Sequence, residues 1–235
     1  MRVILRLLLC VVQLWTVNAN VEKTIFLGPP PVTLPNVHPS LDDLNLPALT
    51  PAGRPVLETQ LAVQFPADAA PRGVESWYLL KALESGRRYE VRICWPATQP
   101  TDFWLDAFSV EHVFDTPKLI SSLAAYSEHR QTLEPPGSAY LSEGASSSSQ
   151  SLLLLRIQAA ASYYSTNRTL MEYPPAVDAD IILDPYLLNI LPRSLAPTAA
   201  YISIVAVFAW FLSDYIYRWL LAIAAEPPPS KSHVD

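Results

Sequence analysis

Residues 80–95 read LKALESGRRYEVRICW. From Tyr89 onward the chain alternates. Tyr89, Val91, Ile93 and Trp95 fall on one side of an extended backbone, and Arg88, Glu90 and Arg92 on the other. A period of two sustained over this length predicts a strand with one face in a core. Gly86 supplies the turn signal ahead of it. Working outward, Leu57, Thr59, Leu61, Val63 and Phe65 alternate along LETQLAVQF. Further strands are predicted at EKTIFL (22–27), VESWYLLKAL (74–83), DFWLDAFSV (102–110) and SLLLLRIQAAASYY (151–164). Twenty-three prolines are scattered mostly through this part of the chain. They argue against a helical bundle and for strands joined by turns.

The spacing Leu80-x-x-Leu83-x-x-Gly86-x-x-Tyr89-x-Val91-x-Ile93 resembles the tyrosine-corner region of fibronectin-III-type sandwiches. There a tyrosine at the start of a strand bonds back to upstream backbone and holds the corner between sheets. The other reading is a hairpin with a glycine in its turn. The expected fold is therefore a mainly β domain over 20–165, sandwich-like, with Gly86 and Tyr89 forming its structural corner. One helix is inserted. Thr116 is a good cap, Pro117 suits the first helical position, and LISSLAAYSEHR follows. The stretch 28–55 reads as an extended or irregular arm, packed on the domain through Leu41, Leu44, Leu46 and Leu49. Residues 135–151, with Pro135-Pro136-Gly137 and four consecutive serines from Ser146, read as a flexible loop.

Both ends carry membrane signals. Residues 1–19 form a signal peptide: Arg2 and Arg6, an apolar run from Leu7 to Val12, and a small-residue cleavage site at Val17-x-Ala19. The other reading of this stretch is an anchor. Residues 198–225, TAAYISIVAVFAWFLSDYIYRWLLAIAA, are long and apolar enough for a transmembrane helix. Together they predict a single pass with the N-terminal side in the lumen, a juxtamembrane connector at 166–197 and a cytosolic tail at 226–235. Asp214 and Arg218 lie four apart within the span and share a helix face. Two readings stay open. They face another membrane protein, or they lie near the boundary and snorkel.

Several function classes are disfavoured. The net charge is −6, and removal of the signal takes away two arginines and no acid. An acidic balance argues against a nucleic-acid partner. With Cys10 in the signal, Cys94 remains alone, without an internal disulfide and expected as a small core residue. No phosphate loop, G-x-S-x-G, H-E-x-x-H or C-x-x-C motif appears. Asp42-Asp43 and the aspartates 178, 180 and 184 read as solvated acidic positions, so no metal, cofactor or catalytic residue is expected. Asn167-Arg168-Thr169 is a glycosylation acceptor in a predicted lumenal loop.

Three stretches carry a further likeness: RYEVRICWPATQPTDF (88–103), FLGPPPVTLP (26–35) before it and FDTPKLISSLAAYSEHR (114–130) after it. They resemble a fungal family, the co-activator subunit of GPI mannosyltransferase II. The resemblance implies an endoplasmic-reticulum membrane protein. It would support a multi-pass catalytic subunit that adds the second mannose to GPI-anchor precursors from dolichol-phosphate mannose. The transferase chemistry would belong to that partner. A cell-surface adhesion or receptor module is the alternative. A membrane-tethered hydrolase using Cys94 or one of His38, His112 and His129 is a third class.

Overall fold

The computed structural model describes residues 21–32, 41–133 and 151–224. Residues 1–19, read as a signal peptide, most of the stretch 135–151 read as a loop, His38 and residues 226–235 lie outside them. Two compact units divide at Ile190 and Leu191.

The first unit is built on two sheets. One contains β1 (Val21–Leu27), β3 (Val56–Leu61), β5 (Arg88–Cys94) and β8 (Val177–Leu187), hydrogen-bonded in the order β1-β5-β8-β3. The other holds β2 (Ala48–Leu49), β4 (Val74–Leu80), β6 (Thr101–Phe108) and β7 (Leu153–Ala161), in the order β2-β4-β7-β6. The long pairings are antiparallel, and the two-residue β2 runs parallel to β4.

The alternation along Tyr89–Ile93 has the predicted consequence. Tyr89, Val91 and Ile93 are buried together with Leu57 and Leu61 of β3, Ile181 and Leu183 of β8, Tyr78 and Leu80 of β4, Phe103 and Leu105 of β6, and Leu155 and Ile157 of β7. One core is thus shared by the inward sides of both sheets. Each large apolar side chain fully removed from water there contributes about 1.5–3 kcal/mol before entropy is counted.

A second core lies on the outer side of the β2-β4-β7-β6 sheet. Trp77, Leu79, Leu152 and Leu154 meet Val113, Leu119 and Leu123. The covering elements are α1 (Val110–Asp115) and α2 (Pro117–Leu133). The strand expected to reach residue 110 ends at Phe108. Ser109 then caps α1 by accepting a hydrogen bond from the His112 amide. The arm is packed as expected. Leu49 is in the first core, and Leu41, Leu44 and Leu46 lie against the second. The Leu44 and Asn45 carbonyls accept bonds from Ser127 Oγ and Arg130 Nε.

The region read as a connector, 166–197, differs most from expectation. It supplies α3 (Arg168–Glu172) and then β8, an interior strand between β5 and β3. Pro185 falls within this strand. In the sheet, the pairing of β3 on β8 ends at Val56 opposite Ile182, and the Leu183 amide bonds Pro55 O. The next amide on that side would be that of Pro185, just where the neighbour has run out, so its missing N–H leaves no ladder bond unmade.

The second unit contains α4 (Ala196–Ala224), which is long and apolar enough to cross a membrane and has no buried residue.

Candidate functional site

Gly86 and Tyr89 are brought together at one end of the first unit. Gly86 has φ 75°, a conformation glycine adopts at little cost. Its amide bonds Gly28 O at 2.9 Å, and the Gly28 amide bonds Arg87 O at 2.8 Å. Tyr89 is fully buried, and its hydroxyl accepts a 2.9 Å bond from the Glu84 amide. Phe26 stacks beside the ring. Gly28 has no room for a side chain, because a Cβ there would lie 2.2 Å from Glu84 O. Asn189 closes the other side: its Nδ2 donates to Gly86 O and its Oδ1 accepts from the Arg88 amide. The turn Glu84–Arg88 is therefore tied to β1 and to the turn after β8.

Two polar networks escaped sequence reasoning. On the outer side of the β1-β5-β8-β3 sheet, Glu90 stands opposite Asp184 in register. Like charges so placed repel, and both side chains are buried, with 4% and 7% exposure. Arg92 lies 3.6 Å from Glu90 and 3.8 Å from Asp184, and Lys23 lies 3.2 Å from Glu90. The Tyr186 hydroxyl donates to Glu90 at 3.2 Å, and burial followed by the neighbouring Glu90 charge raises the Tyr186 pKa above its ordinary value. The alternation placed Glu90 on this face but carried no sign of its burial, which depends on side chains from β1 and β8.

The second network lies beside α2. Arg156 Nη2 is 2.7 Å from Asp106, and Arg156 Nη1 is 3.6 Å from Glu75. Gln158 donates to Glu75 at 2.7 Å. Ser122 of α2 also donates to Glu75 and accepts from Trp77 Nε1. These bonds tie the helix to the sheet and satisfy polar groups at the margin of the second core.

Cys94 is half-buried, and burial raises its thiol pKa. A thiol held protonated is a poor nucleophile. Among the described residues, no three histidines, cysteines or carboxylates converge as metal ligands. Asp178 accepts bonds from Gln60 and Gln99, whereas Asp184 faces Arg92. Asn167 caps α3, and its Oδ1 accepts from the Thr169 amide at 3.0 Å. It is exposed at the end of the unit opposite Gly86, since β7 runs between the two ends. On α4, Arg218 Nε lies 2.9 Å from Asp214 Oδ2.

The family model of the GPI-mannosyltransferase II co-activator matches residues 74–210, from β4 into α4, including Gly86, Tyr89 and Asn167 and ending before Asp214. A GPI mannosyltransferase 2 subunit of Schizosaccharomyces pombe is 22% identical over 143 residues, covering 61% of this chain and 56% of that protein. This chain thus aligns with little more than half of that relative. No solved structure matches. With more than half of its length matched by the family model, the chain belongs to the GPI-mannosyltransferase II co-activator family.

Proposed function

We propose that this protein is a non-catalytic, single-pass membrane subunit of the endoplasmic reticulum that supports the mannosyltransferase adding the second mannose during GPI-anchor synthesis. The observation that carries the reading is the family match over 74–210. The partner is a multi-pass catalytic subunit, which holds the chemistry. The first unit is lumenal and α4 is the span. Length and apolarity of α4 support this, as does an exposed sequon at Asn167. We read the two-sheet unit as a sandwich of the fibronectin-III kind. The buried Tyr89 and its bond to the Glu84 amide support that assignment. Asp214 and Arg218 are the contact within the membrane: each neutralises the other, and both remain open to a neighbouring helix.

Deletion of the protein should make GPI precursors with one mannose accumulate. Normal precursor flux in the deletion would refute the proposal. Replacing 198–225 by an unrelated single-span helix separates the roles of the two units. Normal flux then assigns the interaction to the lumenal unit and makes the helix an anchor only. For topology, protease added to sealed microsomes should trim only a small C-terminal tag. Endoglycosidase H should shift the wild type and leave Asn167→Gln unchanged. A lumenal unit digested in intact microsomes would reverse the orientation.

A further inference from the structure

We infer that the turn Leu187–Ile190 is a membrane-contacting tip, which seats the Gly86 end of the first unit on the lipid headgroup layer. The inference rests on the single-pass reading of α4 and adds a second point of membrane contact.

The tip is an apolar surface held out by a rigid turn. Leu188 is 91% exposed and Ile190 79%. Leu27, opposite Arg88 in the sheet register, adds another exposed apolar side chain at the same end. Leu188 and Asn189 both have positive φ, at 52° and 58°, and the Ile190 amide bonds Leu187 O at 3.0 Å. Two successive left-handed residues make a tight turn that favours Asn and Gly. Asn189 fits that rule, and its side chain fastens the turn to Gly86 and Arg88. Leu188 breaks it twice, as a branched apolar residue in a strained conformation and as an apolar residue facing water. A turn needed only to end β8 would carry a small polar residue there.

What covers the tip follows from chain length. Ile190 lies six residues before Ala196, the first residue of α4. Six residues span at most about 20 Å when fully extended. An anchor crossing the bilayer therefore keeps the tip within reach of the headgroups. The flanking charges suit that surface. Arg88 is exposed, and Arg87 stands beside it, paired with Glu84. Apolar side chains dipping below a rim of arginine is the chemistry of an interfacial contact. The opposite end of the unit lies one length of β7 away, about 30 Å for nine residues. It carries the Asn167 sequon and the exposed Tyr164.

The test uses the full chain, with Cys10 and Cys94 changed to Ser, in vesicles of phosphatidylcholine and phosphatidylinositol at a four-to-one ratio (about 20% anionic lipid, enough to give the surface a negative potential). Nitroxide labels are placed singly at Leu188→Cys, Tyr164→Cys and Phe208→Cys. Collision with oxygen and with a water-soluble nickel chelate reports depth. The expected result is a lipid-like ratio at 188 and 208 and an aqueous one at 164. An aqueous 188 beside a lipid-embedded 208 would overturn the inference and leave the membrane reading intact. An aqueous 208 would remove the single-pass reading, and the inference with it. A label at 188 that is aqueous in vesicles and becomes shielded only when the transferase is added would also overturn the inference, by assigning the tip to the protein partner. Leu188→Gly relieves the backbone strain while removing the apolar contact. It should unfold no earlier than wild type yet raise the nickel accessibility of a label at Ile190→Cys several-fold. No change at 190 would count against the tip.

Discussion

Arg156 and Arg218 each sit within 3 Å of an aspartate, and they teach opposite things. Arg156 is 17% exposed and is held between Asp106 and Glu75, with Phe108 under its guanidinium. Its two terminal nitrogens find their carboxylates within the protein, while its Nε is buried without a hydrogen-bond partner among the described residues. Arg218 is 77% exposed and Asp214 49%, on a helix with no buried residue. The first pair closes a fold. The second depends on whatever medium or helix surrounds α4, because a charge pair's worth is set by what it displaces. In the first unit these polar groups serve packing, whereas on the helix the pair is exposed.

The largest effect should come from breaking the enclosed pair. Arg156→Leu leaves Asp106 and Glu75 without their shared cation. Removing one partner of a fully buried pair costs about 3–5 kcal/mol. With Asp106 partly exposed, a loss of about 2–3 kcal/mol is expected in urea unfolding of the detergent-solubilised protein. A loss near zero would mean that water replaces the guanidinium and that the network does not hold α2 to the sheet.

Tyr89→Phe comes next. It keeps the ring in the core and removes only the acceptor for the Glu84 amide, which should cost about 0.5–1.5 kcal/mol. Exchange of that single amide should accelerate well beyond its neighbours. Uniform exchange across residues 84–89 would show that Gly28 and Asn189, rather than the tyrosine, hold the corner.

A smaller and pH-dependent difference is expected at Tyr78. Its pKa is raised above the ordinary 10.0, chiefly by burial. The folded state therefore keeps the proton that the unfolded chain loses. The stabilisation is fully present below about pH 10 and is lost as the pH rises beyond that, through the raised folded value. Tyr78→Phe should make the alkaline fall in unfolding free energy shallower. An unchanged alkaline limb would place the titrating group elsewhere.

The smallest effect on folding belongs to the helix pair. Asp214→Leu combined with Arg218→Leu should leave unfolding of the first unit unchanged within about 0.5 kcal/mol. Its effect should appear in co-purification with the transferase instead, where Asp214→Ala alone is expected to weaken recovery more than the double change. Equal recovery of all three proteins would reduce the pair to snorkelling charges and sharpen the contrast with Arg156.

Local patterns were legible where a period meets one burial surface. The alternation through Tyr89 and Ile93 placed β5, and the apolar run after Ala196 placed α4, because each needs only one face or one length to be recognised. The arm's leucines and the helix from Pro117 were legible for the same reason. β8 was not. Its alternation of Val177, Ala179, Ile181 and Leu183 against the aspartates was present, but Pro185 broke the pattern. Only the end of β3 at Val56, far earlier in sequence, explains why proline is tolerated there. Gly86 and Tyr89 could be picked out from their spacing, whereas Gly28 and Asn189, which bond the turn at Gly86, Arg87 and Arg88, come from two other strand ends. The sequence by itself determined the strand periods, the apolar span and the family likeness, all properties of neighbouring residues along the chain. Tertiary structure alone decided which carboxylates are buried, which arginine is enclosed and which leucine is held out on a turn. Those outcomes depend on side chains that meet only after distant strands have paired.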